Sequence, residues 1–167
     1  MKTRRTSRSI APTDAAKGAK AEADFRAWLD ASTLPHLYVE QSPVTVPEPL
    51  RGKIKRPDYL VGIPGVGLVA FDVKAKTVYD GCLIFDLDEI KKLRTFARLF
   101  HLTVYFACLN SEGAGGFWVR LDQLDDVPAL MRAGRYTLSI PTCRTLPVRP
   151  SEPFYDVFVR AVALAAL

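Results

Sequence analysis

Two apolar segments joined by a Pro-Gly pair constrain the fold of this chain more than any other feature of its 167 residues. The first segment runs from Tyr59 to Ile63, and the second, from Val66 to Lys76, begins with a strongly apolar run. Pro64 and Gly65 between them are typical turn residues. The pattern therefore predicts a β-hairpin.

Acidic and basic side chains lie along this hairpin. Asp58 comes just before the first strand, and Asp72 lies on the second, 14 residues later. Asp72 and Lys74 are two residues apart on one strand, so their side chains leave the same face of the sheet. The residues between and before them, Val69, Phe71 and Val73, point to the opposite face. We expect the hairpin to bring Asp58 beside Asp72.

This arrangement suits a divalent cation. Two adjacent carboxylates repel each other unless a positive charge lies between them. Carboxylate oxygens are hard ligands that favour Mg²⁺ or Mn²⁺. A lysine one strand step away can hold a water molecule near a phosphate, while the metal lowers the pKa of that water. Asp58, Asp72 and Lys74 are therefore candidate residues for phosphodiester hydrolysis.

A third acid lies on the predicted first helix. This helix is expected to start at Thr13 or Asp14 and to run to about Asp30, with an apolar stripe of Ala21, Phe25, Trp28 and Leu29. Glu22 is three residues before Phe25, so it shares the inward stripe. Such a carboxylate needs a metal, a lysine or a helix cap as its partner.

Basic residues cluster in two places. Arg51, Lys53, Lys55 and Arg56 fall within six residues just before Asp58, where they are expected to bind phosphates. The first 20 residues hold six basic side chains and one acid, which equals the whole net charge of +5. Lys17 and Lys20 belong to this second cluster, and residues 1–12 are predicted to be a disordered basic tail. Both clusters are candidate DNA contacts, although each also fits a solvated surface segment.

The remaining elements are predicted from periodicity and turn residues. Strands are expected at 36–41, 102–109, 117–121 and 136–140. Helices are expected at 86–101, 154–167 and, broken near Pro128, at 124–133. Segments 42–50 and 141–153 are expected to be loops, and Glu112 to Gly116 a glycine-rich turn.

The pattern resembles the PD-(D/E)xK nucleases, which include restriction endonucleases and Holliday junction resolvases. Pro57 and Asp58 match the first motif element, and Asp72, Val73 and Lys74 match the second. Glu22 matches the acid that many members carry on the first helix, and the stretch from Lys17-Gly18 to Glu22 resembles the archaeal-type resolvases. The resemblance spans roughly residues 14–110.

The resemblance has departures. Asp72 replaces the more common glutamate, which preserves the chemistry. Glu89, Lys91 and Lys92 lie on the helix where some branches carry a glutamine, and this leaves the subfamily open. Lys76, one step beyond Lys74 on the same face, is an alternative or auxiliary lysine.

The resemblance implies an α/β fold with a restriction endonuclease-like αβββαβ core, in which a mixed central sheet is flanked by helices. The length of the chain suits one domain, expected over residues 13–167. The resemblance implies that this nuclease-like domain acts as a metal-dependent DNA endonuclease, with junction resolvase-like specificity and a homodimer as further implications. Asp58 and Asp72 would bind Mg²⁺ or Mn²⁺, with Glu22 and the Val73 carbonyl as further ligands. Lys74 would orient the attacking water.

Several alternatives stay open. Asp58 also fits a turn cap, and Asp72 with Lys74 a surface ion pair. The chain also fits a non-cleaving nucleic-acid-binding or regulatory protein, or a nuclease of a mobile-element or defence system. Its three cysteines form no CxxC pair, and no segment predicts a membrane span or a secretory signal. We therefore expect a cytoplasmic protein with reduced thiols.

Overall fold

The computed structural model of the protein describes residues 12–110 and 115–166. The predicted tail at residues 1–12 lies outside this part, except that Pro12 already begins the first helix. Most of the turn predicted at Glu112–Gly116 also lies outside the described residues.

The described residues form three helices and nine strands. In chain order these are α1 (Pro12–Ser32), β1 (His36–Tyr38), β2 (Tyr59–Ile63), β3 (Gly67–Ala75), β4 (Cys82–Asp86), α2 (Leu87–Phe100), β5 (Thr103–Leu109), β6 (Gly116–Arg120), β7 (Ala129–Arg132), β8 (Arg135–Pro141), β9 (Leu146–Val148) and α3 (Phe154–Ala165). Short 3₁₀ turns lie at Pro43–Thr45, Glu48–Leu50, Leu121–Leu124 and Thr142–Arg144.

The central sheet is mixed and contains six strands in the order β1-β2-β3-β5-β6-β9. The predicted hairpin is confirmed: β2 and β3 are antiparallel, with Tyr59 opposite Phe71. Gly65 and Gly67 have φ angles of +75° and +109°, which glycine adopts without a Cβ clash. β3 and β5 are parallel because α2 carries the chain back to the same end of the sheet.

Helices and a second small sheet cover the two faces of the central sheet. On one face, α1 and α3 bury Phe25, Trp28 and Phe154 against Phe71 and Trp118. On the other face, α2 packs with the three-stranded sheet β4-β8-β7, and the buried side chains there include Ile90, Leu93, Phe85, Phe106 and Leu138. The predicted α/β fold, with a mixed central sheet flanked by helices, is thus confirmed.

Three elements differ from the sequence prediction. Leu124, Val127 and Leu130 are spaced like a helix stripe, but Pro128 interrupts the segment, and residues 129–132 instead form β7. Strand β4 was not predicted, and β9 lies within the segment expected to be a loop. β9 has only three residues and contains Pro147, so its pattern is too short to detect.

Among the described residues, none of the helices combines the length and the apolar character that a membrane span requires.

Candidate active site

Asp58 and Asp72 meet where β2 begins beside β3. The Asp58 N–H donates to the Phe71 carbonyl at 2.9 Å, which extends the β2–β3 ladder by one residue. The Asp58 side chain turns back onto β3, where its Oδ2 accepts a hydrogen bond from the Val73 N–H at 2.7 Å. Asp72 itself is 0% exposed. The hairpin thus brings the two predicted acids together.

Two lysines and a further acid surround the buried Asp72 carboxylate. The Lys55 ammonium pairs with Asp72 Oδ1, and the Lys74 ammonium lies 3.1 Å from Oδ2. Glu89 Oε1 pairs with Lys74 and lies 3.1 Å from the Lys55 ammonium. The four charges form one network, with Asp72 and Glu89 each contacting both lysines. This excludes the alternative in which Asp72 and Lys74 form an exposed surface pair.

The pKa values in this network follow from burial and neighbouring charge. Burial and the adjacent Asp72 carboxylate raise the pKa of Asp58 to about 6. The hydrogen bond from Val73 and the charge of Lys55 lower this pKa, but by less. For Lys74, burial alone would lower the pKa, but Asp72 and Glu89 outweigh it and raise the pKa. Burial also opposes ionisation of Glu89, yet Lys74 and Lys55 lower its pKa. The two acids thus favour the ammonium form of Lys74.

Glu89 is a site residue that the sequence analysis did not select. The Asp86 side chain caps α2 by accepting from the Asp88 and Glu89 N–H groups, at 2.9 and 3.2 Å. Glu89 then shares the inward stripe of α2 with Leu93 and Phe96. A carboxylate on the inward stripe of a helix, the pattern that marks Glu22 on the first helix, marks Glu89 as well.

The Lys55 side chain points inward to a buried carboxylate, whereas a phosphate-binding lysine is expected to face the solvent. Its N–H donates to the Lys92 carbonyl at 3.3 Å, which joins the basic segment to α2. This contact directs the side chain inward to Asp72, which lies 17 positions further along the chain. No local pattern distinguishes Lys55 from Lys53, which is exposed. Phosphate binding by Lys55 stays a prediction.

Glu22 lies close enough to Asp58 for its charge to act on that carboxyl group. It is half-buried on α1, and its charge raises the pKa of Asp58, although less than burial and Asp72 do. It also raises the pKa of Tyr59, where burial is the larger cause. Glu22 therefore adds negative charge near Asp58, and its role as a metal ligand stays a prediction.

The other predicted site residues occupy varied surroundings. Arg56 donates to Thr45 Oγ1 and the Ser42 carbonyl, at 2.6 and 2.9 Å. Arg51 is exposed, as is Lys17 on α1. Lys20 pairs with Asp24 one helical turn away. Their roles in DNA binding stay predictions.

Lys76 does not join the acid–lysine network. Its ammonium donates to the Ile84 carbonyl at 2.5 Å and lies 4.8 Å from the centre of the Phe85 ring. Burial lowers its pKa. These contacts favour Lys74 over Lys76 as the lysine of the candidate site.

A cleft of about 530 Å³ opens beside the network, between the basic segment and the start of α2. Lys55 and Glu89 form part of its wall, which links the cleft to the buried carboxylates. Its other charged lining residues are Arg51, Arg56, Lys92, Arg135, Asp86 and Asp88. The cleft therefore reaches Lys55 and Glu89 of the network, while Asp58, Asp72 and Lys74 lie behind them.

The donor set fits a divalent cation held mainly by two carboxylates. Asp72 Oδ2 is buried, and it accepts no well-formed hydrogen bond from the residues that the structure describes, although Lys74 lies nearby. The Asp72 charge also opposes ionisation of Asp58, a repulsion that a cation would relieve. In the described part of the chain, no three His, Cys, Asp or Glu side chains converge as a preformed metal cluster.

The raised pKa of Asp58 predicts a pH-dependent stability in EDTA. The folded protein holds this proton up to a pH of about 6, whereas the unfolded chain releases it near the ordinary value of 3.8. The Asp58 contribution is therefore fully present below that ordinary value and is lost as the pH rises through 6. Urea unfolding across this range should show wild type losing stability relative to Asp58→Asn. Parallel profiles for the two proteins would contradict the raised pKa.

Comparison with solved structures supports the fold described above. The chain is similar to Hjc, a Holliday junction resolvase from the archaeal hyperthermophile Archaeoglobus fulgidus. The TM-score is 0.53 and the sequence identity is 21%, over 77% of this chain and 94% of the resolvase chain. At this identity, the similarity establishes the shared architecture. No family model and no curated protein sequence matches the chain.

Proposed function

We propose that the protein is a metal-dependent nuclease that hydrolyses phosphodiester bonds in DNA. The observation that carries the proposal is the fully buried Asp72, which lies beside Asp58 and on the same strand face as Lys74. A buried carboxylate with a second acid and a lysine around it is costly for a structural role alone. The same set has the groups needed to cut a phosphodiester.

Asp58 and Asp72 would hold Mg²⁺ or Mn²⁺, with the Val73 carbonyl and Glu22 as candidates for further ligands. When bound, the metal supplies a Lewis acid and lowers the pKa of a coordinated water. The hydrogen bond from the Val73 N–H fixes the orientation of the Asp58 carboxylate. Only one Asp58 oxygen is used in this contact, so the other is available to a cation.

Lys74 would donate to the attacking water and to the charge that develops on the phosphate. Its raised pKa keeps it protonated for this role. Glu89 holds the Lys74 ammonium near Asp72, so we assign Glu89 as a positioning residue. Lys55 neutralises Asp72, and a cation at Asp72 would release Lys55 toward the cleft that it lines.

We propose DNA as the substrate class, and a four-way junction as the first form to test. The fold shared with a junction resolvase and the basic segment beside the cleft support this choice. Four basic residues line the cleft in addition to Lys55, and phosphate neutralisation by such residues dominates the affinity of proteins for DNA. A homodimer would match the two symmetric cuts that resolve a junction.

The test is cleavage of end-labelled DNA by the wild-type protein. Duplex, flap, single-stranded and four-way-junction substrates would each be incubated with Mg²⁺, Mn²⁺ or EDTA. We expect cutting with either metal, no cutting in EDTA, and the highest rate on one branched form. Binding to DNA without any metal-dependent cutting would contradict the nuclease and favour a binding protein on the same fold.

A further inference from the structure

The hairpin formed by β7 and β8 projects two arginines beside the cleft. Its two-residue turn consists of Ala133 and Gly134, with φ angles of 46° and 78°. Positive φ at both turn positions is the geometry that matches the twist of a hairpin. Arg132 and Arg135 flank this turn and face each other across the ladder. The turn therefore places both arginines at the tip of the hairpin.

The arginines lie on the hairpin face that is directed to the cleft. Side chains alternate along a strand, so Arg135 shares a face with Thr137, which is paired with Asp86 of β4. Consistent with this, an Arg135 guanidinium nitrogen lies 3.7 Å from Asp86 Oδ2, and both residues line the cleft. Arg132 is opposite Arg135, so it extends the same charged face outward.

The charges on this tip lack sufficient compensation within the described part of the chain. Like charges directly opposite each other destabilise a strand pair. Arg135 has only the long contact with Asp86, and Arg132 pairs with no acid among the described residues. Both side chains are exposed. An anionic partner would attract both guanidinium groups and so offset the repulsion between them. Phosphate suits this role because its oxygens match the planar guanidinium.

We infer that the β7–β8 hairpin is a clamp for double-stranded nucleic acid, in which Arg132 and Arg135 bind backbone phosphates of a duplex arm that enters the cleft. The hairpin lies beyond residues 14–110, over which the sequence resembles the PD-(D/E)xK nucleases. The basic residues Arg51 and Arg56, from the segment before β2, line the same cleft as Arg135, so the duplex arm would contact both that segment and the hairpin. The inference rests on the proposed nuclease function and adds the part of the chain that recognises the substrate arm.

The test measures binding and cutting separately. Fluorescence anisotropy with a labelled 30-base-pair duplex in EDTA would compare wild type, Arg132→Ala, Arg135→Ala and the double variant over a range of salt. Arg98→Ala is the matched control, since Arg98 is also exposed but lies near the far end of α2. Cleavage at saturating protein would be measured with Mg²⁺ for the same proteins.

We expect each hairpin substitution to raise the Kd about tenfold at ~0.1 M salt and to lower the salt slope by about one, whereas Arg98→Ala changes neither. The cleavage rate at saturation should stay within about twofold of wild type, because phosphate contacts position the duplex and do not enter the chemistry. Arg132→Ala leaves the contact between Arg135 and Asp86 at the start of α2 in place, so it tests phosphate binding without disturbing that contact.

Three results would overturn the clamp. If the hairpin variants bind DNA like Arg98→Ala while wild type binds and cuts it, the hairpin has no role in DNA binding and the proposed nuclease function still stands. Weaker binding that accompanies a lower sedimentation mass would assign the hairpin to self-association, for which its exposed Leu130, Met131 and Tyr136 are suited. A wild type that neither binds nor cuts DNA would overturn both the nuclease and the clamp.

Discussion

Asp72→Asn should lower the rate of metal-dependent DNA cleavage by about a thousandfold or more, equivalent to roughly 4 kcal/mol of transition-state stabilisation. The substitution keeps the shape of the side chain and removes the buried negative charge. That charge is the centre of the network, because Lys55, Lys74 and, through repulsion, Asp58 all respond to it. Single-turnover cleavage of the best substrate, with protein in excess, measures the loss.

Asp125→Asn is the matched control, since this exposed acid pairs with Arg94 outside the cleft. It should cut DNA at the wild-type rate. Circular dichroism and thermal unfolding would establish whether Asp72→Asn is folded. If Asp72→Asn does not fold, Asp58→Asn would be measured in its place. A folded Asp72→Asn protein that cuts at the wild-type rate would exclude Asp72 from catalysis.

Lys74→Met should lower the cleavage rate by about 10²- to 10⁴-fold, the range expected when one group that donates to the reacting centre is lost. Methionine retains most of the aliphatic volume, and Lys55 remains to neutralise Asp72 and Glu89. The two carboxylates are unchanged, so the protein should still bind Mn²⁺. Separate measurements of Mn²⁺ binding and of the cleavage rate therefore distinguish a role of Lys74 in the chemistry from a role in metal affinity.

Lys91→Met is the control for this substitution, because Lys91 is exposed on α2. If Lys74→Met cuts at the wild-type rate, Lys74 is a structural counter-ion and another cation supports the reaction. Lys55 would then be the first alternative, because it contacts the same carboxylate.

The central part of the site was predictable because it is encoded locally. Asp58, Asp72 and Lys74 lie on one hairpin, and period-two alternation alone determines which side chains share a face. The mixed sheet flanked by helices followed from the same hairpin, the amphipathic α2 and the resemblance to nucleases.

The remainder of the network depends on long-range packing. Glu89 reaches the site only because the α2 crossover lies over the β3 face that carries Asp72 and Lys74. Lys55 turns inward because a backbone contact joins its segment to α2. β7 was mistaken for a helix because Leu124, Val127 and Leu130 are spaced as on a helix face. The helix is interrupted at Pro128, and the pairing with β8 that makes residues 129–132 a strand is not visible in the local pattern.

The measurement that tests the central claim most directly is Mn²⁺ binding to the protein without DNA, by isothermal titration calorimetry. Wild type should bind Mn²⁺ in a saturable transition, and Asp72→Asn should bind at least about tenfold more weakly because one of two carboxylate ligands has lost its charge. Asp125→Asn should match wild type. Equal Mn²⁺ binding by wild type and Asp72→Asn, or no binding by wild type, would contradict the assignment of this site as a metal centre.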